Sequence, residues 1–176
     1  MTNSELDNQR KNGKELATIP NTNIQILANV SELDFFDSQT VQLAESINPL
    51  DAWGVMMSQS MPLMSLAFRV RDAISSKFGV RKIGGFSNSS KATVAPGEML
   101  DFFLIEYVSE DVLSLSERDT HLDVLTCISR VDKEITITSS VITHNTFGRI
   151  YMLPVGPAHK FIVRTYLKRL QEHLAV

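Results

Sequence analysis

Residues 120–144 read THLDVLTCISRVDKEITITSSVITH. Two runs of alternating strand formers flank the dipeptide Asp132-Lys133. If that dipeptide is a two-residue hairpin turn, Val131 faces Glu134 and paired positions sum to a constant. Ile128 then falls opposite Ile137, Val124 opposite Val141 and Leu122 opposite Thr143. That face is mostly apolar and is expected to be the buried one. On the other face Asp123 meets Ile142, and His121 falls opposite His144, within interaction distance across the pair. A longer turn would undo this register.

The pairing gathers Asp119, His121, Asp123 and His144 on one expected sheet face. The plainest reading is a solvated face, since antiparallel sheets commonly have one wet side. A second is a histidine held by a carboxylate as proton shuttle or pH switch, its pKa raised by the acids. A third is a metal site, and a fourth a partner surface. Strand rise separates residues two apart by roughly 7 Å and four apart by roughly 13 Å, so Asp119 and Asp123 cannot share one ion. Strand geometry leaves only His121 and His144 with one Asp, and the expectation is no metal and no cofactor.

Working outward, residues 99–109 and 112–118 also read as strands, so four consecutive runs predict an antiparallel meander. Residues 34–43 read as an earlier first strand. Asn48-Pro49 is a helix start, with Asn as cap and Pro in the first helical position. Pro62 restarts the helical pattern, and Leu63, Leu66, Ala67, Val70 and Ile74 share one face as far as Gly79. Residues 84–98, rich in Gly, Ser, Asn and Pro, read as a mobile flap. Gly156-Pro157 opens a final amphipathic helix whose stripe includes Ile162, Val163, Tyr166, Leu167 and Leu170. Residues 1–23 read as a flexible polar tail and 24–176 as a single domain.

The chain has 176 residues, 43% hydrophobic and 21% charged, enough for one well-formed core. Its formal net charge of −3 leaves no basic footprint, which argues against nucleic acid. The one cysteine, Cys127, cannot form an internal disulfide and reads as structural. The N-terminus lacks an apolar signal core, and the most apolar run is interrupted by polar residues and Pro62. The expectation is a cytoplasmic protein with no membrane span.

Three further residues stand out in FGRIYMLPVGPAH, residues 147–159. Arg149 and Tyr151 alternate on an expected strand end, and His159 sits in the first turn of the last helix, so the three could line a pocket mouth. The bland alternative is packing for Tyr151, pairing for Arg149 and solvent for His159. Met56, Met57, Met61 and Met64 cluster with Trp53 and Phe68, either as core or as a ligand-adapting surface. No phosphate loop, nucleophile elbow or zinc-protease helix is present.

RDTHLDVLTCISR (residues 118–130), ITITSSVITHNTFGRIYMLPVGPAHKFIVRTYLKRL (135–170) and PLMSLAFRVRDAISSKFG (62–79) together resemble a bacterial family, the domain of unknown function numbered twenty-eight sixty-seven. The match spans about residues 30–172. One departure is Pro157-Ala158-His159, where members often carry Pro-Phe-His; the smaller side chain would reshape the pocket mouth. The resemblance implies an α+β fold like the START-like, birch-pollen-allergen-like helix-grip superfamily. That fold is a curved antiparallel sheet around a long C-terminal helix, with two short helices after the first strand. Sheet and helix there enclose an apolar cavity for hydrophobic small molecules.

The resulting expectation is a protein that binds an apolar or amphipathic small molecule, with Trp53, Met57, Met64, Phe68, Arg149, Tyr151, His159 and Tyr166 as candidate contacts. Alternatives are an enzyme of cyclase, hydrolase or lyase type using His121 with Asp119 or Asp123, and an interaction module that pairs with a partner or forms a homodimer. The direction of His121 discriminates. A cavity favours the enzyme, bulk solvent the binder, and a second copy the module.

Overall fold

The computed structural model describes residues 16–58 and 94–175. The helix expected over 62–78, the loop before Val94, and the candidates Met64 and Phe68 lie outside the described residues. The elements run β1 (Ala17–Thr18), β2 (Gln25–Ile26), a 3-10 turn (Val30–Glu32), β3 (Phe35–Gln42), α1 (Pro49–Ser58), β4 (Met99–Leu100), β5 (Phe103–Val108), β6 (Val112–Arg118), β7 (Leu122–Val131), β8 (Glu134–Thr143) and α2 (Thr146–His173).

The hairpin forms in the expected register. Val131 pairs with Glu134, Ile128 with Ile137 and Leu122 with Thr143, and the turn residue Asp132 takes a positive φ of 53°, which Asp tolerates. Asn48 caps α1 by accepting the Asp51 N–H at 2.8 Å. The run read as one strand over 99–109 is instead two. Asp101 adopts φ 57°, so the chain reverses there and Leu100 pairs with Phe103. The antiparallel sheet of six strands has the order β3-β8-β7-β6-β5-β4, so the first long strand closes against the last. The sheet is curved, and with the long C-terminal helix it makes an α+β helix-grip arrangement.

One sheet face and α2 share the main core. Leu113, Leu115, Ile128, Ile135 and Ile137 pack with Val163, Tyr166, Leu167 and Leu170 of α2 and with Trp53 and Met56 of α1. Each such side chain removed from water contributes about 1.5–3 kcal/mol.

The opposite face is also covered, contrary to the wet side expected of it. Ser114, Ser116, Cys127, Thr138 and Ser140 are at most 1% exposed. The β2 segment lies across them. Gln25 N–H donates to Cys127 Sγ at 3.3 Å, Leu27 N–H to Ser140 Oγ at 3.1 Å, and the Asn23 amide to the Arg130 carbonyl at 3.1 Å. Small polar side chains let the backbone come close and supply the acceptors its N–H groups require. Residues 17–18, inside the stretch read as a tail, pair with β2 as β1.

α2 starts ten residues earlier than Gly156-Pro157 suggests. Asn145 is its N-cap, accepting the Gly148 N–H at 3.0 Å. Arg149 and Tyr151 therefore lie on a helix and not on a strand end. Pro154 and Pro157 fall inside the helix, both on its exposed side, where the loss of two backbone donors costs least. Gly148 permits the start, because a Cβ there would strike the His121 carbonyl oxygen of the β6–β7 turn.

Candidate functional site

Between the concave sheet face and α2 lies a cavity of about 280 Å³. Its wall follows from two periodicities. Leu122, Val124, Thr126 and Ile128 face it from alternate positions of β7, and Phe147, Tyr151, Val155, His159, Ile162 and Tyr166 from successive turns of α2. α1 adds Trp53, Met56 and Met57, and the Trp53 ring meets Phe103 edge-on at 5.6 Å between centroids.

Polar groups enter this wall at two places. Midway, His159 Nε2 lies 2.8 Å from Ser139 Oγ, and Phe35 packs edge-on against the imidazole. Burial lowers the His159 pKa, opposed by the charge of Asp37, so the ring is held neutral. The second place is the β6–β7 end, where Glu117, Asp119 and His121 all line the cavity. Tyr166, nearer the helix C-terminus, has its phenol pKa raised by burial.

The Asp-x-His-Leu-Asp segment is arranged differently from its sequence expectation. β7 begins at Leu122, so Asp119 and His121 belong to a turn, and strand alternation does not reach them. Asp119 Oδ1 accepts from the backbone N–H of His121 (2.6 Å) and of Leu122 (2.9 Å), and Asp119 N–H donates to the Leu122 carbonyl at 3.0 Å. This self-bonded turn swings His121 to the cavity side. The His144 N–H still donates to the His121 carbonyl at 2.8 Å, as the register requires, but the side chains part. His144 Nε2 meets Asp123 Oδ1 at 3.0 Å on the far face, where Arg118 stands 3.8 Å from Asp123 and 2.9 Å from Glu106. Asp123, 5% exposed, is thus removed from His121.

The His121 ring is held by the Asn145 amide, whose Nδ2 lies 3.0 Å and Oδ1 3.3 Å from Nδ1. Phe147 packs on the imidazole at 4.5 Å between centroids, and Tyr151 stacks behind Phe147. Among the described residues His121 Nε2, itself buried, has no hydrogen-bond partner. Among the described residues no group of three or more His, Cys, Asp or Glu is placed to hold a metal ion.

Of the other candidates, Trp53, Met57, Tyr151, His159 and Tyr166 line the cavity, together with Ala158. Arg149 does not. It lies exposed in a hollow beside Asp34 and Thr143. Asp34 has its pKa lowered by hydrogen bonds from Thr143, first backbone and then hydroxyl, with smaller help from the Arg149 and His144 charges. Sequence reasoning missed Phe35, Phe103 and Phe147. Phe147 was findable, being four residues before Tyr151, had the helix been started at Asn145.

A curved sheet gripping a long helix over an apolar cavity with one polar end defines a helix-grip α+β protein. The family model described as "Protein of unknown function (DUF2867)" matches residues 30–166, and the chain belongs to that family. No curated protein and no solved structure matches it. Among the described residues no helix is long and apolar enough to cross a membrane.

Proposed function

We propose that this protein binds an apolar or amphipathic small molecule in the cavity between the sheet and α2. The observation that carries the reading is the cavity itself, about 280 Å³ and walled almost wholly by aliphatic and aromatic side chains. A cavity of this size with a few placed polar groups is what small-molecule sites share. The START-like resemblance of the sequence points the same way. The test is native mass spectrometry of protein purified from cells. A retained apolar mass is expected, and a protein that is always empty and takes up no apolar probe sinks the reading.

A second reading, acid–base chemistry at His121, is favoured by the place of that ring in the cavity wall. It would run without Asp119 or Asp123 on the imidazole, since Asn145 holds it. Turnover of ester probes that disappears in His121→Gln would establish it, and absence of turnover would remove it.

A further inference from the structure

The outward face of α2 is apolar where the core makes no use of it. Among the described residues six large apolar side chains are exposed, and three of them, Ile150 (61%), Leu153 (73%) and Phe161 (57%), stand on this helix. With the exposed Pro154 and Pro157 they recur at three- and four-residue spacing, within an arc of about 100°. Arg164 and Lys168 continue the stripe beyond Phe161, and Arg149 and Lys160 stand along one border, all four exposed. Residues 135–171 contain no Asp or Glu, in a chain whose net charge is −3. The carboxylates that approach these cations come from β3, the residue before it and the last turn of α2. Lys160 Nζ lies 3.7 Å from Asp37 and Lys168 Nζ 3.7 Å from Glu172, and the Arg149 charge acts on Asp34. Surface pairs of that length hold little energy, and an outside anion can compete for the cations.

Apolar side chains interleaved with Lys and Arg on the outside of one helix suit an anionic bilayer surface. The apolar groups enter the acyl boundary and the cations meet the headgroups. A nucleic acid would meet the cations and leave Ile150, Leu153 and Phe161 without apolar contacts. A second copy would bring two cationic helices together. The same helix also walls the cavity, and Ala158 joins the two sides. It is exposed and lines the cavity, four residues from Pro154 and three from Phe161. We propose that the outer face of α2 docks on an anionic lipid surface, and that the cavity, on the binding reading above, draws its apolar ligand from that surface beside Ala158.

The test cosediments the full chain with vesicles of phosphatidylcholine alone or with about a quarter phosphatidylserine. Binding to the anionic vesicles is expected to be about tenfold tighter than to the neutral ones, and to be lost in high salt. Leu153→Ser with Phe161→Ser, and Arg164→Gln with Lys168→Gln, should each weaken it about tenfold. Both double variants should melt like the wild type, because all four side chains are exposed. No sedimentation, equal sedimentation with the two vesicles, or wild-type sedimentation of either double variant overturns the docking. A dimer in sizing chromatography that Leu153→Ser dissociates overturns it in favour of a second copy. Binding of 2-decanone without vesicles, read by fluorescence of Trp53, the only tryptophan and a cavity residue, tests the cavity reading alone. The double variants should bind the ketone as the wild type does, since none of the four side chains lines the cavity. Ketone binding without vesicle binding overturns the docking and leaves the cavity reading standing. Absence of ketone binding overturns the delivery of a ligand, whatever the vesicles show.

Discussion

His159 on α2 and Ser139 on β8 meet at 2.8 Å across the cavity wall, the helix imidazole bonded to the strand hydroxyl. Burial lowers the His159 pKa below its ordinary 6.5, with Asp37 opposing. The native state therefore binds fewer protons there than the unfolded chain, and stability rises with pH across that window. The contribution is fully present above about 6.5 and is lost as pH falls from there toward the lowered native value. Urea midpoints measured from neutral to mildly acidic pH should fall in the wild type, with a visibly shallower fall in His159→Gln. Parallel slopes for the two proteins would contradict this.

Two glycines of α2 test the helix–sheet contact against helix propensity. Alanine is the better helix former by about 1 kcal/mol, so propensity alone predicts that both changes stabilise. At Gly148 the new methyl would meet a backbone carbonyl oxygen of the turn that carries His121, which cannot move alone. Gly148→Ala should cost about 3 kcal/mol, the scale of a severe overpacking. At Gly156 the methyl would come 3.0 Å from the Phe35 ring, a side chain that can turn. Gly156→Ala should lie within about 1 kcal/mol of the wild type by the same reasoning. Thermal denaturation of the two variants should rank them clearly.

The Asp123 carboxylate is buried on the far side of β7, against His144 and Arg118. Replacing it by Asn keeps the shape and removes the charge that His144 and Arg118 face. The loss should be about 2 kcal/mol, below the full cost of breaking a buried pair because both partners reach solvent. A double-mutant cycle of Asp123→Asn with His144→Gln, followed by urea denaturation, should show a coupling energy between the two side chains, and additive losses would contradict the pairing.

Ala158 lines the cavity from α2. Ala158→Phe should fold normally and bind 2-decanone about tenfold more weakly, the loss expected when bulk occupies part of an apolar site. Unchanged affinity would place the ligand elsewhere.

The hairpin was legible because a two-residue turn and a period of two leave one register, and the observed pairs from Leu122–Thr143 to Val131–Glu134 follow it. The direction of His121 was not legible. Alternation holds only within a strand, and Asp119 ends the strand pattern by hydrogen-bonding the backbone ahead of it. The start of α2 was hidden for a different reason. Gly156, Pro154 and Pro157 read as breakers, yet both prolines stand on the solvent side, where their missing donors matter least. Nor could periodicity show that β2 crosses the far face, since Ser and Thr look the same under water as under another strand.

That crossing makes the lone thiol an indicator of motion. Cys127 is sealed by a segment that reaches it through a side-chain acceptor, outside the backbone ladder of the six strands. Burial also pushes its pKa up, so the closed form is doubly inert to thiol reagents. The segment can peel away and return without unzipping the sheet, and only then does the sulfur meet solvent. The rate at which a disulfide reagent labels the native protein therefore times the lifting of its N-terminal strap.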